Sequence, residues 1–459
     1  MAVAPPLTDS MQGAKVTVLG AGLSGLAAAR LLLLAGATVT IADDYKSAHD
    51  IGADLGTDGV TIRSGDLDDG LPAADLLVLS PGIADSHPVV RECLATGAEV
   101  ISELALASRY TAAPILAVTG SNGKSTTATM LHQMLAGGGF RSFLGGNIGA
   151  PFSATVLEER RLQPARPVHV LEVSSFQAEH LGSLEAQVVL FLNLSPDHLD
   201  RYPDMETYGR AKLRLADHVA ERGWIVYNRQ DSYFSSRLEE HAQAVPFGPE
   251  PAAGSRFAVR KGAIVAGRKR LLPLAELALP GPHNVSNFLA AATAASLMEI
   301  KTPAISQVLK SFAGLPHRLE LLGTLNTVPY YNDSKATNIA SAKVALESFD
   351  GPVILILGGS DKGADYSELL PAMTGKVRQV VTYGEVGLRM AELFQGVIPL
   401  HFEQLFEAAV NRARDAAKAG DTVLLSPACA SYDQFAGFEQ RGAAFRQIVE
   451  AYQRQVNHA

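Results

Sequence analysis

The chain has 459 residues, too many for a single hydrophobic core, and this length favours about three domains. Its composition is that of a globular protein, with 47% hydrophobic and 19% charged residues. It has no apolar run long enough to cross a bilayer, so no membrane partner is expected. The net charge of −8 argues against nucleic acid as a partner. Cys93 and Cys429 are too few for a disulfide framework, and the first 14 residues lack the pattern of a secretory signal. We therefore expect a cytoplasmic location.

The N-terminal segment is predicted to form a strand, a glycine-rich turn, a helix and a second strand. The strands are residues 15–19 and 39–42, the helix covers residues 26–34, and Asp43 ends the second strand. The turn has Gly20, Gly22 and Gly25 at the spacing of a dinucleotide-binding fingerprint, with Asp43 as its acidic residue. Alone, this pattern would predict NAD. Because such a turn presents amides to any pyrophosphate, a nucleotide-sugar diphosphate fits it equally well.

A further strand is predicted at residues 76–79, and it ends in Ser80, Pro81 and Gly82. Open α/β sheets bind ligands at the carboxyl ends of their strands, so this turn is placed for binding. Spacing alone nevertheless favours a simple turn role for Ser80. We expect residues 101–114 to connect this domain to the next.

The central feature is a second glycine-rich turn between an apolar run, residues 115–118, and a predicted helix, residues 127–135. Its residues are Thr119, Gly120, Ser121, Asn122, Gly123, Lys124, Ser125 and Thr126. The glycines let backbone amides face a polyphosphate, the lysine adds a point charge, and a hydroxyl can ligate Mg²⁺.

The spacing of this turn is shorter than that of the usual phosphate loop, and Val118 stands where the first glycine would be. An ordinary turn with a solvated lysine is the alternative. The combination of glycines, Lys124 and hydroxyl residues between strand and helix favours ATP binding.

Polar residues follow the next strands of the same domain. Residues 144–149 are rich in glycine and are expected to form a loop near a ligand. The strand that follows carries Glu172 near its carboxyl end. An unpaired buried carboxylate is costly, so we expect a metal ion or a basic partner there.

The strand at residues 187–193 leads into a cluster with Asp197, His198 and Asp200. This cluster is either a metal or catalytic site or a capped turn with a surface histidine. From the sequence alone, Lys212 on the following helix reads as a solvated surface residue, and Asn284 reads as the cap of the helix at residues 285–298.

The last third of the chain again alternates strands and helices, which predicts a mostly parallel sheet. Polar loops of small residues at 332–338, 358–363 and 426–433 follow predicted strands.

Taken together, these motifs resemble the muramyl ligase family and its folylpolyglutamate synthetase relatives over essentially the whole chain. The segments that carry the resemblance are residues 119–126, 171–177, 197–203, 332–338 and 426–442. The resemblance implies an α/β protein of three domains: a Rossmann-like UDP-sugar domain at residues 1–104, a central phosphate-loop ATPase domain with a parallel sheet at 105–313, and a Rossmann-like amino-acid-binding domain at 314–459.

The motifs are most similar to those of family members that add D-glutamate to UDP-N-acetylmuramoyl-L-alanine in peptidoglycan precursor synthesis. The resemblance therefore implies a monomeric ligase that uses ATP and Mg²⁺. The implied catalytic residues are Lys124, His198, Lys212 and Arg318. The implied nucleotide contacts are the turn residues from Thr119 to Thr126 with Asn284, Arg318 and Asp333. The implied metal contacts are Ser125, Glu172, His198 and Lys212, the last as a carbamate.

The resemblance also assigns the other substrates. The UDP-sugar contacts are Leu23, Ser24, Asp43, Ser80, Pro81, Gly82, Asn147 and His198. The D-glutamate contacts are Thr337, Lys362, Ser431, Tyr432 and Phe438. Tyr432 stands where leucine is common in the family, and Asp43 is followed by Asp44 where better-known members have a basic residue.

Three alternatives remain open at this stage. The turn at Gly20 allows a nicotinamide-dependent oxidoreductase. A nucleotide-binding regulator without catalysis is also compatible, although three separate polar strand ends argue against it. Within the family, a ligase for another amino acid is the nearest competitor.

Overall fold

The computed structural model describes residues 11–56, 59–65, 67, 71–198, 201–279, 281–361 and 363–457. The chain divides into two compact units, Met1–Phe312 and Ala313–Ala459. The first unit contains two parallel sheets and a small antiparallel one, and the second contains one mixed sheet. No helix in the described ranges is long and apolar enough to cross a membrane.

The first sheet has five parallel strands in the order β3-β2-β1-β4-β5. Its strands are β1 (Lys15–Leu19), β2 (Thr38–Asp43), β3 (Val60–Ser64), β4 (Leu76–Leu79) and β5 (Glu99–Ser102). Its helices are α1 (Leu23–Leu34), α2 (Ala48–Leu55), α3 (Pro88–Thr96) and α4 (Glu103–Ser108). The inner strands β1, β2 and β4 are largely buried because helices connect parallel strands and cover the sheet, whereas the edge strand β3 is mostly exposed.

The central sheet has six parallel strands in the order β11-β10-β9-β6-β8-β7. Its strands are β6 (Ile115–Thr119), β7 (Arg141–Gly146), β8 (Pro167–Glu172), β9 (Ala186–Phe191), β10 (Val219–Asn228) and β11 (Ala244–Phe247). Its helices are α5 (Lys124–Gly137), α6 (Phe152–Leu162), α7 (Met205–Leu213), α8 (Ser232–Leu238), α9 (Pro282–Leu297) and α10 (Thr302–Ser311). An antiparallel sheet of β12 (Phe257–Arg260), β13 (Ala263–Ala266) and β14 (Lys269–Pro273) precedes α9.

The sheet of the second unit has the order β15-β16-β20-β17-β18-β19, and only the β15–β16 pair is antiparallel. Its strands are β15 (Glu320–Leu325), β16 (Val328–Asn332), β17 (Val353–Gly358), β18 (Val377–Tyr383), β19 (Leu400–Glu403) and β20 (Thr422–Leu425). Its helices are α11 (Ile339–Glu347), α12 (Leu370–Met373), α13 (Gly387–Phe394), α14 (Phe406–Ala416) and α15 (Phe438–Asn457).

Within the first unit, one continuous cluster of buried apolar side chains connects the first and central sheets. It includes Val18 and Leu31 from the first sheet and its helix, and Phe152 and Phe191 from the central layer. The two sheets therefore share a core, and the turns at their strand ends have fixed positions relative to each other within this unit.

Chain order reverses next to β1 in the first sheet and next to β6 in the central one, because later strands are added on both sides of each of these strands. Parallel sheets bind ligands at such switch points, outside the carboxyl ends of the strands. Both glycine-rich turns follow the strand at the switch point of their sheet.

Several sequence-based expectations about local structure were wrong. Residues 101–114 are not a mere connection, because the end of β5 and all of α4 lie within them. In the glycine-rich run at 144–149, β7 continues to Gly146 and pairs with β8. Asn284 is not the cap of α9, because the helix begins at Pro282 with Gly281 as its N-cap.

Candidate functional site

The central glycine-rich turn joins β6 to α5; it is buried at both ends, while Asn122 is exposed and Gly123 and Lys124 are half-buried. Gly123 is the N-cap of α5 and has φ +81°. A Cβ at this position would lie 2.3 Å from Oδ1 of Asn287 on α9. The turn therefore needs glycine for both its backbone conformation and its close packing. Ser125 and Thr126 are buried in the first turn of α5, where helix N–H groups favour an anion.

Side chains that follow β9 hold this turn in place. Asn122 donates its backbone N–H to Asn193 Oδ1 (2.8 Å), and Asn193 Nδ2 donates to the carbonyl of Asn122 (3.0 Å). The hydroxyl of Ser121 donates to the carbonyl of Ser195 and accepts from its N–H, both at 2.9 Å. Thr119 Oγ1 donates to the carbonyl of Val173 (2.9 Å). The turn is thus fixed by its neighbours before any ligand binds.

Two lysine side chains converge on one carbonyl of this turn. Lys124 Nζ donates to the carbonyls of Gly120 (2.9 Å) and Ser121 (2.8 Å). Lys212 Nζ donates to the carbonyl of Gly120 (3.0 Å) and lies 4.5 Å from the ring centroid of Tyr208. The prediction of Lys212 as a solvated surface residue was wrong, since it is only 1% exposed.

Burial lowers the pKa of Lys212 to about 7, and the positive charge of Lys124 acts in the same direction. Asp197 and Glu172 raise this pKa but do not compensate. Near neutral pH, Lys212 is therefore a neutral amine in a substantial fraction of the molecules.

Glu172 lies at the end of β8, next to the strand that leads into the turn. Its Oε1 accepts a hydrogen bond from Asn147 Nδ2 (2.8 Å). Its Oε2 is buried and has no hydrogen-bond partner among the described residues. An orphaned carboxylate oxygen in this position is suited to a cation. Asn147, predicted on the UDP-sugar side, lies beside Glu172.

His198 has a strained backbone, with φ +54°, and an exposed side chain. Its ring makes an edge contact with Phe176 at 4.8 Å and lies 6.2 Å from Tyr208, between centroids. The hydroxyls of Tyr208 and Ser121 are 3.3 Å apart. This aromatic cluster therefore connects His198 to the central turn. Asp200, its predicted companion, lies outside the described residues.

Asn284 is buried in the first turn of α9, the helix that packs on α5. The same helix carries Asn287, which meets Gly123. Within the described ranges, no group of three or more His, Cys, Asp or Glu is placed to hold a metal ion.

The turn after β1 is equally compact but has an acid beside it. A Cβ at Gly25 would lie 1.8 Å from the carbonyl oxygen of Gly20, so only glycine fits. Asp43 Oδ2 accepts the N–H of Ala21 (2.7 Å), and Oδ1 accepts those of Tyr45 (2.9 Å) and Lys46 (2.8 Å). Burial alone would raise the pKa of Asp43, but these amides outweigh it and hold the pKa below its usual range.

Ser80 is more than a turn residue, because its hydroxyl donates to the carbonyl of Gly20 (2.9 Å) and fastens β4 to the turn after β1. The other residues predicted for the UDP sugar surround this point. Pro81 and Gly82 are exposed after β4, Leu23 is exposed at the start of α1, and Ser24 is half-buried beside it.

In the second unit, Asp333 lies directly after β16 and is almost completely buried. It accepts hydrogen bonds from the Ser426 hydroxyl (2.8 Å) and the Leu319 N–H (3.2 Å). Burial raises the pKa of Asp333 to about 7, although these bonds and the charges of Arg318 and Arg441 lower it. Arg318 is half-buried just before β15.

One buried arginine holds together the two loops that carry Thr337, Ser431 and Tyr432, three of the predicted D-glutamate residues. Arg441 is 0% exposed, and its guanidinium donates to the Ser334 hydroxyl and to the carbonyls of Ser334, Cys429 and Ala430. It therefore fixes the loop after β16, which carries Thr337, to the loop after β20.

The remaining predicted residues are placed as follows. Ser431 is buried, Tyr432 is 74% exposed and Phe438 begins α15. Lys362 lies outside the described residues.

Sequence reasoning missed Asn193, Tyr208 and Arg441 as parts of these sites. The signal for Asn193 was present, because a polar residue follows a strand that pairs with the strand of the central turn. It could not be used without the strand order.

Family models match three parts of the chain: the MurD-like N-terminal domain of Mur ligases at residues 14–102, the Mur ligase middle domain at 118–295, and the Mur ligase glutamate ligase domain at 317–429. Among curated relatives, the UDP-N-acetylmuramoylalanine–D-glutamate ligase of Salinibacter ruber is 41% identical, over 96% of this chain and 99% of the relative. The protein of the same name from Myxococcus xanthus is 40% identical, over 97% and 100%.

Solved structures support the fold. The UDP-N-acetylmuramate-alanine ligase of Thermotoga maritima has a TM-score of 0.60 at 17% identity, covering 96% of this chain and 100% of that one. MurF of Acinetobacter baumannii has a TM-score of 0.58 at 18% identity, covering 89% and 91%. The predictions of family and fold are thus confirmed. The chain belongs to the Mur ligase family of ATP-dependent, amide-forming ligases.

Proposed function

We propose that the protein joins D-glutamate to UDP-N-acetylmuramoyl-L-alanine and converts ATP to ADP and phosphate. Relatives named UDP-N-acetylmuramoylalanine–D-glutamate ligase match over nearly the full chain. The observation in the site that best supports a ligase is the central turn, where Lys124 and Lys212 meet beside the orphaned oxygen of Glu172. Such a site combines a cation for phosphate, Lys124, with a carboxylate for a metal.

In the first step, the carboxylate of the UDP-sugar substrate attacks the γ-phosphorus of ATP, and ADP leaves. The amides of residues 120–126 bind the phosphates, and Lys124 balances the charge that develops on the transferred group. Arg318 is proposed to offset the same charge, and Asn284 and Asp333 are proposed contacts of the rest of the nucleotide.

In the second step, the amine of D-glutamate attacks the acyl phosphate carbon. An amide bond forms, the nitrogen loses a proton, and phosphate leaves from a tetrahedral intermediate. The residues proposed to hold D-glutamate are Thr337, Lys362, Ser431, Tyr432 and Phe438. Leu23, Ser24, Asp43, Ser80, Pro81, Gly82, Asn147 and His198 are proposed contacts of the UDP sugar.

Mg²⁺ fits this site because Oε2 of Glu172 is buried and lacks a partner among the described residues. Ser125, Glu172 and His198 are the residues that would hold it, with Lys212 if that side chain is carbamylated. The ion would supply positive charge to the phosphate oxygens.

Carbamylation of Lys212 is supported by its environment. The buried amine lies beside Lys124, and loss of its positive charge would relieve the repulsion between the two. The amine nitrogen would attack the carbon of CO₂ and release a proton, leaving an anionic oxygen ligand. Incubation with ¹³C-bicarbonate should give a carbamate signal in the NMR spectrum that is missing from Lys212→Ala. A spectrum identical for the two proteins would contradict carbamylation.

The reaction is tested by phosphate release with a panel of amino acids. We expect release that requires both UDP-N-acetylmuramoyl-L-alanine and D-glutamate, with a product whose mass is the sum of the two less water. Release with L-glutamate at an equal rate, or with another amino acid in preference, would contradict the proposed substrate. NAD(P) binding without ATP turnover would instead support an oxidoreductase, and nucleotide binding without substrate-dependent turnover would support a regulator.

We further propose the three domain ranges 1–104, 105–313 and 314–459, a monomer, and a cytoplasmic location. Both cysteines are free, as a reducing compartment requires. Size-exclusion chromatography with light scattering tests the monomer.

A further inference from the structure

Arg201 connects two parts of the first unit that carry different ligand contacts. Its Nη1 donates to the carbonyl of Gly82 (2.7 Å), and Nη2 donates to the carbonyl of Ile83 (3.2 Å). These two carbonyls belong to the turn after β4, on the first sheet. Arg201 itself lies after β9, on the central sheet. Its contacts to the turn are therefore made across the boundary between the two sheets.

The guanidinium is held in place by side chains of the central sheet. Nη2 donates to Glu179 Oε2 (2.9 Å), and Tyr202 donates its hydroxyl to Glu179 Oε1 (2.7 Å). The guanidinium carbon also lies 4.7 Å from the ring centroid of Phe176. The Arg201 side chain is 19% exposed and that of Glu179 is 16% exposed. An arginine fixed by a carboxylate and an aromatic face loses little freedom when it binds further acceptors.

The same segment is tied to His198. The carbonyl of His198 accepts the N–H groups of Arg201 (3.1 Å) and Tyr202 (3.0 Å). Phe176, which packs on the Arg201 guanidinium, also contacts the His198 ring. Displacement of Arg201 would therefore disturb both the turn after β4 and the backbone that sets the position of His198.

Arg201 is suited to this arrangement because one planar guanidinium satisfies three acceptors in fixed directions. It donates to two backbone carbonyls and one carboxylate, whereas a lysine ammonium on a flexible stem would not keep the same directions. The Gly82 and Ile83 carbonyls lie next to Ser80, Pro81 and Gly82, the proposed UDP-sugar contacts.

We propose that Arg201 is a positioning residue that holds the turn after β4 against the His198 segment, so that the UDP-sugar substrate is bound with its carboxylate at the central site. This inference rests on the proposed function. It assigns to Arg201 an effect on one substrate, and it predicts that the other two substrates are unaffected.

The test is equilibrium binding of UDP-N-acetylmuramoyl-L-alanine and, separately, of a non-hydrolysable ATP analogue to the full chain. Arg201→Met should raise the Kd for the UDP sugar about 10-fold, because the turn loses two charge-assisted hydrogen bonds, and leave the Kd for the ATP analogue within about twofold. Arg201→Lys should give an intermediate increase, because lysine keeps the charge without the planar fork. Steady-state kinetics should show the same split, with KM raised for the UDP sugar and unchanged for ATP and D-glutamate.

Arg237 provides a matched control on the same unit. It pairs with Glu206 (2.9 Å) and lies 3.8 Å from the ring centroid of Tyr233, but its other hydrogen bonds go to Tyr233 and Ser236 on its own helix. Arg237→Met thus removes an ion pair of the same kind, although a more exposed one, together with a ring contact. It should leave the Kd of both ligands unchanged.

The proposal would be overturned if Arg201→Met raised the Kd of both ligands equally, or if it left the Kd of the UDP sugar unchanged. If Arg201→Met does not fold, Glu179→Gln serves in its place, since it keeps the side-chain shape and loses the charge that orients Arg201. It should raise the Kd for the UDP sugar alone, and an unchanged value would likewise overturn the proposal. Failure of the parent protein to bind the UDP sugar would refute the proposed function instead.

Discussion

The two glycine-rich turns of the first unit have the same local architecture but different charged neighbours. Each follows the strand at the switch point of a parallel sheet and leads into a helix whose N-cap is glycine, Gly22 in the first turn and Gly123 in the central one. Beside the first turn lies a carboxylate, Asp43, which accepts three backbone amides. Beside the central turn lie the ammonium of Lys124 and the amine of Lys212, whose pKa burial lowers to about 7.

The charged groups beside each turn indicate which ligand that turn is suited to bind. The central turn adds the positive charge of Lys124 to its amides, which suits the triphosphate of the proposed phosphoryl transfer. The first turn has its acid in the position that hydrogen-bonds a ribose in dinucleotide-binding folds, which suits the proposed binding of a nucleotide diphosphate. Under the proposed function, the same kind of turn would therefore bind the reacting nucleotide in one sheet and the UDP group in the other.

The largest expected effect comes from exchanging the lysines of the two turns for alanine. Lys124→Ala should lower kcat on the order of 10²- to 10³-fold, because charge develops on the phosphoryl group beside this ammonium. Lys46, at the first turn, donates to the carbonyl of Ala21 (3.2 Å) and pairs with Asp54. Lys46→Ala should raise KM for the UDP sugar about threefold and change kcat little, because an exposed pair contributes little.

Phosphate release measured while each substrate is varied separates these outcomes. The comparison fails if Lys124→Ala retains the parent kcat, or if Lys46→Ala loses more kcat than Lys124→Ala does.

The second effect concerns the two N-cap glycines. Gly123 has φ +81° and would place a Cβ 2.3 Å from Asn287, whereas Gly22 has φ −74° and no neighbouring atom within 4 Å of its Cβ position. Gly123→Ala should lower the free energy of unfolding by about 1–3 kcal/mol. Gly22→Ala should change it by less than about 0.5 kcal/mol.

Urea unfolding followed by the fluorescence of Trp224 reports on this unit, because that single tryptophan lies on β10. Equal stability of the two variants would mean that the central turn relaxes to accept a side chain.

Much of the local structure around the two turns could be predicted from the sequence, because strands of parallel sheets are short apolar runs. The predicted strands at residues 15–19, 76–79 and 422–425 have the bounds found in the structure. Both glycine-rich turns were predicted in their strand–turn–helix context. These features are local, because a few consecutive residues determine each of them.

The features that were not predicted depend on contacts between distant segments. Lys212 is one of several basic residues on a short helix, and only its packing against Tyr208 and Gly120 makes it buried. Asn193 became recognisable once β9 was seen to pair with β6. Glu103 was expected in a connection, but it is buried and accepts the N–H of Ser153 at the start of α6. In each case, strand order and helix packing decide the role of the residue.

A third, smaller effect tests the side chains that hold each turn from the neighbouring strand. Asn193, after β9, makes two hydrogen bonds to Asn122, and Ser80, after β4, makes one to Gly20. Asn193→Ala should raise KM for ATP about 3- to 10-fold, and Ser80→Ala should raise KM for the UDP sugar by a similar or smaller factor. Each variant should leave the other KM unchanged. If both variants raise both KM values, the two turns are coupled rather than separate.

The smallest effect is the dependence of stability on the charge of Asp43. Three backbone amides hold the pKa of Asp43 below its usual range despite burial. The folded state therefore binds a proton at Asp43 less tightly than the unfolded state does. The stabilisation is complete above the unfolded pKa of about 4 and is lost as the pH falls through the folded value.

Asp43→Asn should thus be less stable than the parent at pH 7, because an asparagine amide cannot accept all three N–H groups. The gap in urea midpoint between the two proteins should narrow as the pH is lowered from 5 to about 3.5. A constant gap over this range would show that the Asp43 charge does not stabilise the first turn.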